Sequence, residues 1–154
     1  GLYALRNFAI LDEKNEYLVK ANSYWFLLNT ETGRPMRIME SDTAPYGEFS
    51  PKLEMEDAGR KIQVPKEMEE TGRMVVMKHL LDTNLHVNNA QYVDIARELL
   101  PAGTEISEIR AEYRKAAVLG DEIVIRSARE GKSYLVSLCN PDGDVFANIE
   151  LKEM

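Results

Sequence analysis

The sequence holds one cysteine, one tryptophan and two histidines in 154 residues. A lone thiol, Cys139, cannot close an internal disulfide, so the fold must rest on a hydrophobic core. No run of 18 apolar residues occurs, and Gly1 to Arg6 shows no basic segment followed by an apolar one. Neither a membrane span nor a secretory leader is expected, and the expected location is cytoplasmic. Positive charge is scarce: 19 Lys and Arg face 26 Asp and Glu, for a net charge of -7. That balance disfavours a phosphate backbone as partner, so no nucleic acid is expected. With 44% hydrophobic and 29% charged residues, disorder and collagen-like architecture are excluded.

Tyr3 to Leu11 mixes aromatic and aliphatic residues and runs into the polar cluster Asp12–Glu16, which predicts a strand and a hairpin turn. Tyr17 to Leu28, rich in Tyr, Val, Trp, Phe and Leu, is expected to pair back as a second long strand. Two strands do not make a stable domain. The chain also starts without Met and almost inside its first strand, so a fragment is expected whose front once completed this sheet. From Met39 to about Arg73, Pro45, Gly47, Pro51, Gly59, Pro65 and Gly72 interrupt the pattern, which reads as a linker with one short helix. The acids Glu54, Glu56, Asp57, Glu67, Glu69 and Glu70 are expected on its solvated face.

Met74 to Leu80 reads as a strand entering a loop. Asn88 or Asn89 then caps a helix over Ala90 to Leu100, stopped by Pro101. Gln91, Asp94, Arg97 and Glu98 share one side of that helix, which is therefore expected to be mostly buried. Four strands follow, Ile106–Arg114, Glu122–Arg129, Ser133–Cys139 and Val145–Leu151, with turns at Glu130-Gly131-Lys132 and Asn140-Pro141-Asp142-Gly143. In the last strand Val145, Ala147, Ile149 and Leu151 alternate with Phe146, Asn148 and Glu150, so one covered face is expected. Strand, buried helix and antiparallel meander give an α+β class, a sheet wrapped around a central helix, which is the architecture of the hot-dog fold.

The chemistry-bearing stretch is Asp82-Thr83-Asn84-Leu85-His86-Val87-Asn88-Asn89. Read as an extended segment, it places a carboxylate, an amide and an imidazole on one side, directly before a helix start. The backbone N–H groups of Asn88 and Asn89 would there face an anion or a developing oxyanion. These parts suit acyl transfer to water. No Ser or Cys nucleophile lies nearby, and Cys139 falls in a strand. A calcium loop fails, because Val87 stands where Gly is needed and Val93 where Glu is needed. A zinc site would need more ligands than His79 adds, so no metal or cofactor is expected. Polar residues before a helix also serve as capping groups, and spacing alone fits both roles.

Asp82 to Asn89, Tyr92, Ala111-Glu112-Tyr113-Arg114 and Gly120-Asp121 together resemble the second hot-dog domain of the acyl-[acyl carrier protein] thioesterases that terminate fatty-acid synthesis. Leu2 to Ile10, Ser23-Tyr24-Trp25 and Thr32 to Ile38 resemble the closing strands of that family's first hot-dog. The resemblance covers nearly the whole chain. It implies strands of an incomplete first hot-dog over residues 1–38, a linker over 39–72 and a second hot-dog over 73–154. It also implies Asp82, Asn84 and His86 as catalytic residues, acyl carrier protein as partner and an acyl thioester as substrate. Many members carry a further Glu where this chain has Ala116. Glu112 is four residues away, ~13 Å along a strand, too far to replace it without a bulge. The readings that compete are an acyl-CoA thioesterase and a non-catalytic hot-dog module that binds acyl thioesters. An acidic carrier protein calls for basic contacts, for which Arg34, Arg37, Arg110, Arg114, Lys115, Arg126 and Arg129 are candidates. A homo-oligomer is expected, because the first two strands lack partners.

Overall fold

The computed structural model describes residues 1–48 and 51–154; residues 49 and 50, inside the expected linker, lie outside the described residues. The chain divides into two units, residues 1–60 and 61–154.

In the first unit β1 (Ala4–Leu11) pairs antiparallel with β2 (Tyr17–Trp25), Ala4 lying opposite Trp25 and Ile10 opposite Val19. The turn between them is closed by Asp12, whose carboxylate accepts from the N–H groups of Lys14 and Glu16, both at 2.8 Å. Asn15 takes the left-handed backbone there, which asparagine tolerates well. The second strand is shorter than its composition suggests. It stops at Trp25, and Leu27–Leu28 forms a separate short strand, β3, paired with β4 (Pro35–Met36) around a turn capped by Asn29. Helix α1 spans only Glu40–Thr43. Residues 53–57 are pinned to the hairpin: the Leu53 N–H donates to Asn7 Oδ1 at 3.2 Å, and the Tyr24 hydroxyl donates to Asp57 at 2.5 Å. Large apolar side chains on both strands, among them Phe8, Ile10, Leu18 and Trp25, are exposed.

The second unit holds β5 (Glu69–Val75), helix α2 (Asn89–Arg97), β6 (Ile106–Tyr113), β7 (Glu122–Glu130), β8 (Ser133–Cys139) and β9 (Val145–Glu153). The five strands form one antiparallel sheet in the order β5-β7-β8-β9-β6. The chain therefore leaves one edge at β5, passes through α2 to the far edge at β6, and fills the middle with a meander. Tyr92 and Ala96 of α2 join Ile123, Val136, Leu138, Ala147, Ile149 and Leu151 in a single core. Each large apolar side chain buried there is worth about 1.5–3 kcal/mol. This is the α+β hot-dog arrangement of a sheet about one helix.

Three local expectations change. β5 begins at Glu69, inside the stretch read as linker, because an edge strand tolerates polar side chains once its backbone is paired. Arg73 there bonds Glu70 and Glu122, and a bulge between Glu70 and Gly72 takes up Thr71 as an extra residue. Helix α2 is half-buried instead of mostly buried, and past Arg97 it tightens, Leu99 and Leu100 donating to Ala96 and Arg97 three residues back. Along β9 both faces are covered, not one: Ala147, Ile149 and Leu151 lie in the core, and Asn148, on the opposite face, is 2% exposed. Phe146 is the extra residue of a bulge, since Val145 pairs with Cys139 and Ala147 with Leu138. The other face receives residues 61 and 62, the Ile62 N–H donating to Glu112 at 3.1 Å and Arg110 donating to the Lys61 carbonyl at 3.1 Å.

Candidate active site

The stretch from Asp82 to His86 is a tight turn, not an extended segment. Leu81 and Val87 form a bridge pair, the Asp82 N–H donates to the His86 carbonyl at 2.8 Å, and the Leu85 N–H donates to the Asp82 carbonyl at 3.1 Å. Closing so short a loop forces Leu85 to φ 62°, a left-handed conformation that costs a branched side chain. Alternation along an extended strand therefore does not arrange Asp82, Asn84 and His86. Their relation comes from the turn itself. Asp82 Oδ1 accepts from the Asn84 N–H at 2.8 Å and the His86 N–H at 3.3 Å, an Asx-type clasp that holds the residues bearing the amide and the imidazole. The Asn84 and His86 side chains are exposed and make no hydrogen bond among the described residues.

The turn is tied to the segment between β6 and β7. His86 pairs with Val118, and the Val87 N–H donates to the Ala117 carbonyl at 2.9 Å. Ala116 lies in that same segment, two residues before Val118. Glu112 is elsewhere: its carboxylate accepts from the Ile62 N–H, with the Asn148 amide 3.5 Å away.

At the helix start the two asparagines differ. The Asn88 N–H donates to the Leu80 carbonyl at 2.9 Å, so it is not the free donor expected there. Its side chain is the N-cap, accepting from the Ala90 N–H at 2.9 Å. The Asn89 N–H makes no hydrogen bond among the described residues, and it opens a nine-residue helix whose dipole adds partial positive charge.

Two tyrosines that composition alone assigns to packing reach this corner. Tyr92, 2% exposed, accepts through its hydroxyl from the Ala117 N–H at 3.0 Å. Tyr113 donates to the Asn89 carbonyl at 3.0 Å, and the two rings lie 6.0 Å apart. Burial pushes both phenols above the usual tyrosine range. A tyrosine in an otherwise aliphatic helix face was the available signal, since a buried hydroxyl needs a partner.

The family model described as Acyl-ACP thioesterase C-terminal domain matches residues 63–151, more than half of the chain, and the N-terminal domain model matches residues 1–46. The chain belongs to the acyl-ACP thioesterase family. Among solved structures it is similar to an acyl-ACP thioesterase from Bacteroides thetaiotaomicron, at TM-score 0.82 and 19% identity over 99% of this chain and 63% of that one. It is also similar to the 12:0-ACP thioesterase from Umbellularia californica, at TM-score 0.82 and 23% identity over 97% of this chain and 62% of that one. A putative oleoyl thioesterase from Lactobacillus plantarum superposes at TM-score 0.78 with 20% identity, over 99% of this chain and 63% of that one. At these identities the likeness shows a shared fold, and the chain spans somewhat less than two thirds of each structure's length. A comparison with curated proteins finds no match.

Proposed function

We propose that this chain hydrolyses the thioester of an acyl-[acyl carrier protein], releasing a fatty acid during fatty-acid synthesis. The observation that carries the reading is one corner holding three things: the Asp82 turn, on which the Asn84 and His86 side chains make no hydrogen bond among the described residues; the Asn89 N–H at the start of α2, likewise without a partner among them; and a family match across both. In the reaction, water adds to the acyl carbon while the carbonyl oxygen gains negative charge and turns to the Asn89 N–H. The C–S bond then breaks, and the proton lost by water ends on the departing thiolate. Asp82 already accepts two backbone N–H groups, so it organises the turn, and His86 is left to move the proton. Asn84 holds the attacking water or the carbonyl oxygen.

Ala116 supports the second reading, a module that binds acyl thioesters without hydrolysing them, because it puts a methyl group where the resemblance leads one to expect a carboxylate, two residues before the Val118 that pairs with His86. The test is hydrolysis of acyl-[acyl carrier protein] and of acyl-CoA bearing the same chain, with His86→Ala alongside. Loss of about 100-fold or more in the variant supports catalysis by His86. Equal hydrolysis in both proteins would remove His86 from the mechanism, no hydrolysis in either with acyl thioester still bound would establish the binding module instead, and preference between the two carriers separates the two enzyme readings.

A further inference from the structure

The two halves of the proposed site sit on different elements: the oxyanion donor on the first turn of α2 and the imidazole on the turn before it. A donor and a base act together only when their separation is held, since misplacement by an ångström removes much of the benefit. The described contacts show what holds them. On one side, Tyr113 of β6 donates to the Asn89 carbonyl, which fixes the peptide that follows the free Asn89 N–H. On the other, Tyr92 of α2 accepts from the Ala117 N–H, and the carbonyl of that same residue accepts from Val87, the residue after His86. Ala117 is 0% exposed, so both of its polar groups are bound without competition from water. The tyrosine rings meet at 6.0 Å with their planes inclined by 51°, closing the circuit from strand to helix and back to the catalytic turn.

We infer that Tyr113 and Tyr92 are positioning residues, a paired brace in which Tyr113 aims the Asn89 N–H and Tyr92, through Ala117 and Val87, sets His86 against it. This rests on the proposed hydrolase reading. Neither hydroxyl needs to touch substrate: Tyr113 donates to one backbone group and Tyr92 accepts from another, and each acts by geometry.

Tyr113→Phe keeps the ring contact and removes only the donor to Asn89, so it separates positioning from packing. Removing an oxyanion donor outright costs 100- to 1,000-fold in typical enzymes, and loosening one should cost less, ~10-fold in kcat with KM nearly unchanged. The amide signal of Asn89 in a nitrogen–proton spectrum should shift, and its hydrogen exchange should quicken, at an unchanged melting temperature. Tyr92→Phe leaves the buried Ala117 N–H without an acceptor and is expected to lower both kcat and melting temperature. Tyr134→Phe, a tyrosine on β8 stacked under Arg129, serves as the control and should leave kcat unchanged. His86→Ala in the same series reports on the hydrolase reading by itself. If His86→Ala abolishes turnover while folded Tyr113→Phe keeps the parent kcat, the brace is overturned and the hydrolase reading stands. If Tyr113→Phe loses kcat only in proportion to lost folded protein, with the Asn89 amide unmoved, the role is structural and positioning is refuted. If the parent chain hydrolyses no thioester, both fall together.

Discussion

Leu85 gives the sharpest energetic prediction. It sits at φ 62° at the crest of the Asp82–His86 turn with 70% of its surface exposed, so its side chain contributes little packing while its backbone carries the strain. The left-handed conformation costs an L-residue about 1–2 kcal/mol, and glycine relieves that cost while adding about 0.5–1 kcal/mol of unfolded-state entropy. The net expectation for Leu85→Gly is stabilisation by about 0.5–1 kcal/mol. Leu85→Ala keeps the strain and removes only the exposed side chain, so it should be close to neutral, and the difference between the two variants isolates the backbone term. In a unit of this size that difference is ~2–8 °C in melting temperature. The measurement is urea unfolding followed by circular dichroism on the parent and both variants, with hydrolysis measured on each. A Leu85→Gly protein no more stable than Leu85→Ala would refute the strain.

Asp82→Asn retains an Oδ1 acceptor for the Asn84 and His86 N–H groups, whereas Asp82→Ala loses both bonds; hydrogen exchange at those two amides should therefore quicken sharply only in the alanine variant. Tyr92 holds its proton to higher pH in the native state than in the unfolded chain, because burial raises its pKa. The unfolded chain therefore binds fewer protons above about pH 10, and the stability that Tyr92 contributes, complete below that pH, is lost as pH rises through the native value. Tyr92→Phe should flatten the alkaline fall in unfolding free energy above about pH 10 without abolishing it, since Tyr113 is shifted the same way. The exposed apolar side chains of β1 and β2 predict self-association, which light scattering should show as a species of at least twice the chain mass; a monomer across the micromolar range would count against it.

Much of the second unit can be read directly from its residues. β7, β8 and β9 lie within two residues of where β-branched runs and the Glu130–Lys132 and Asn140–Gly143 turns put them, because those signals are local. The Asn88 cap and the start of α2 are local as well. β5 is not legible in the same way. Glu69, Glu70 and Gly72 have the composition of a linker, and they form a strand only because β7 offers a backbone to pair with. The bulge that buries Phe146 depends likewise on the register with β8, which no single run of sequence contains.

The same division runs through the site. Asp82, Asn84 and His86 stand out by residue type and by resemblance, since carboxylate, amide and imidazole beside a helix start form a recognisable set. How they are held is a tertiary matter. The turn closes on hydrogen bonds between backbone groups, Asn88 spends its N–H on Leu80, and the donor left over belongs to Asn89. Tyr92 and Tyr113 are 21 residues apart in sequence and meet only because β6 crosses to the far edge of the sheet, bringing one hydroxyl to the helix start and the other to Ala117. Residue types determine what chemistry is available. Which N–H is free follows from how the turn between Leu80 and Asn88 closes, and where the imidazole is held follows from pairing with Ala117 and Val118, about thirty residues away, so only the folded chain decides those.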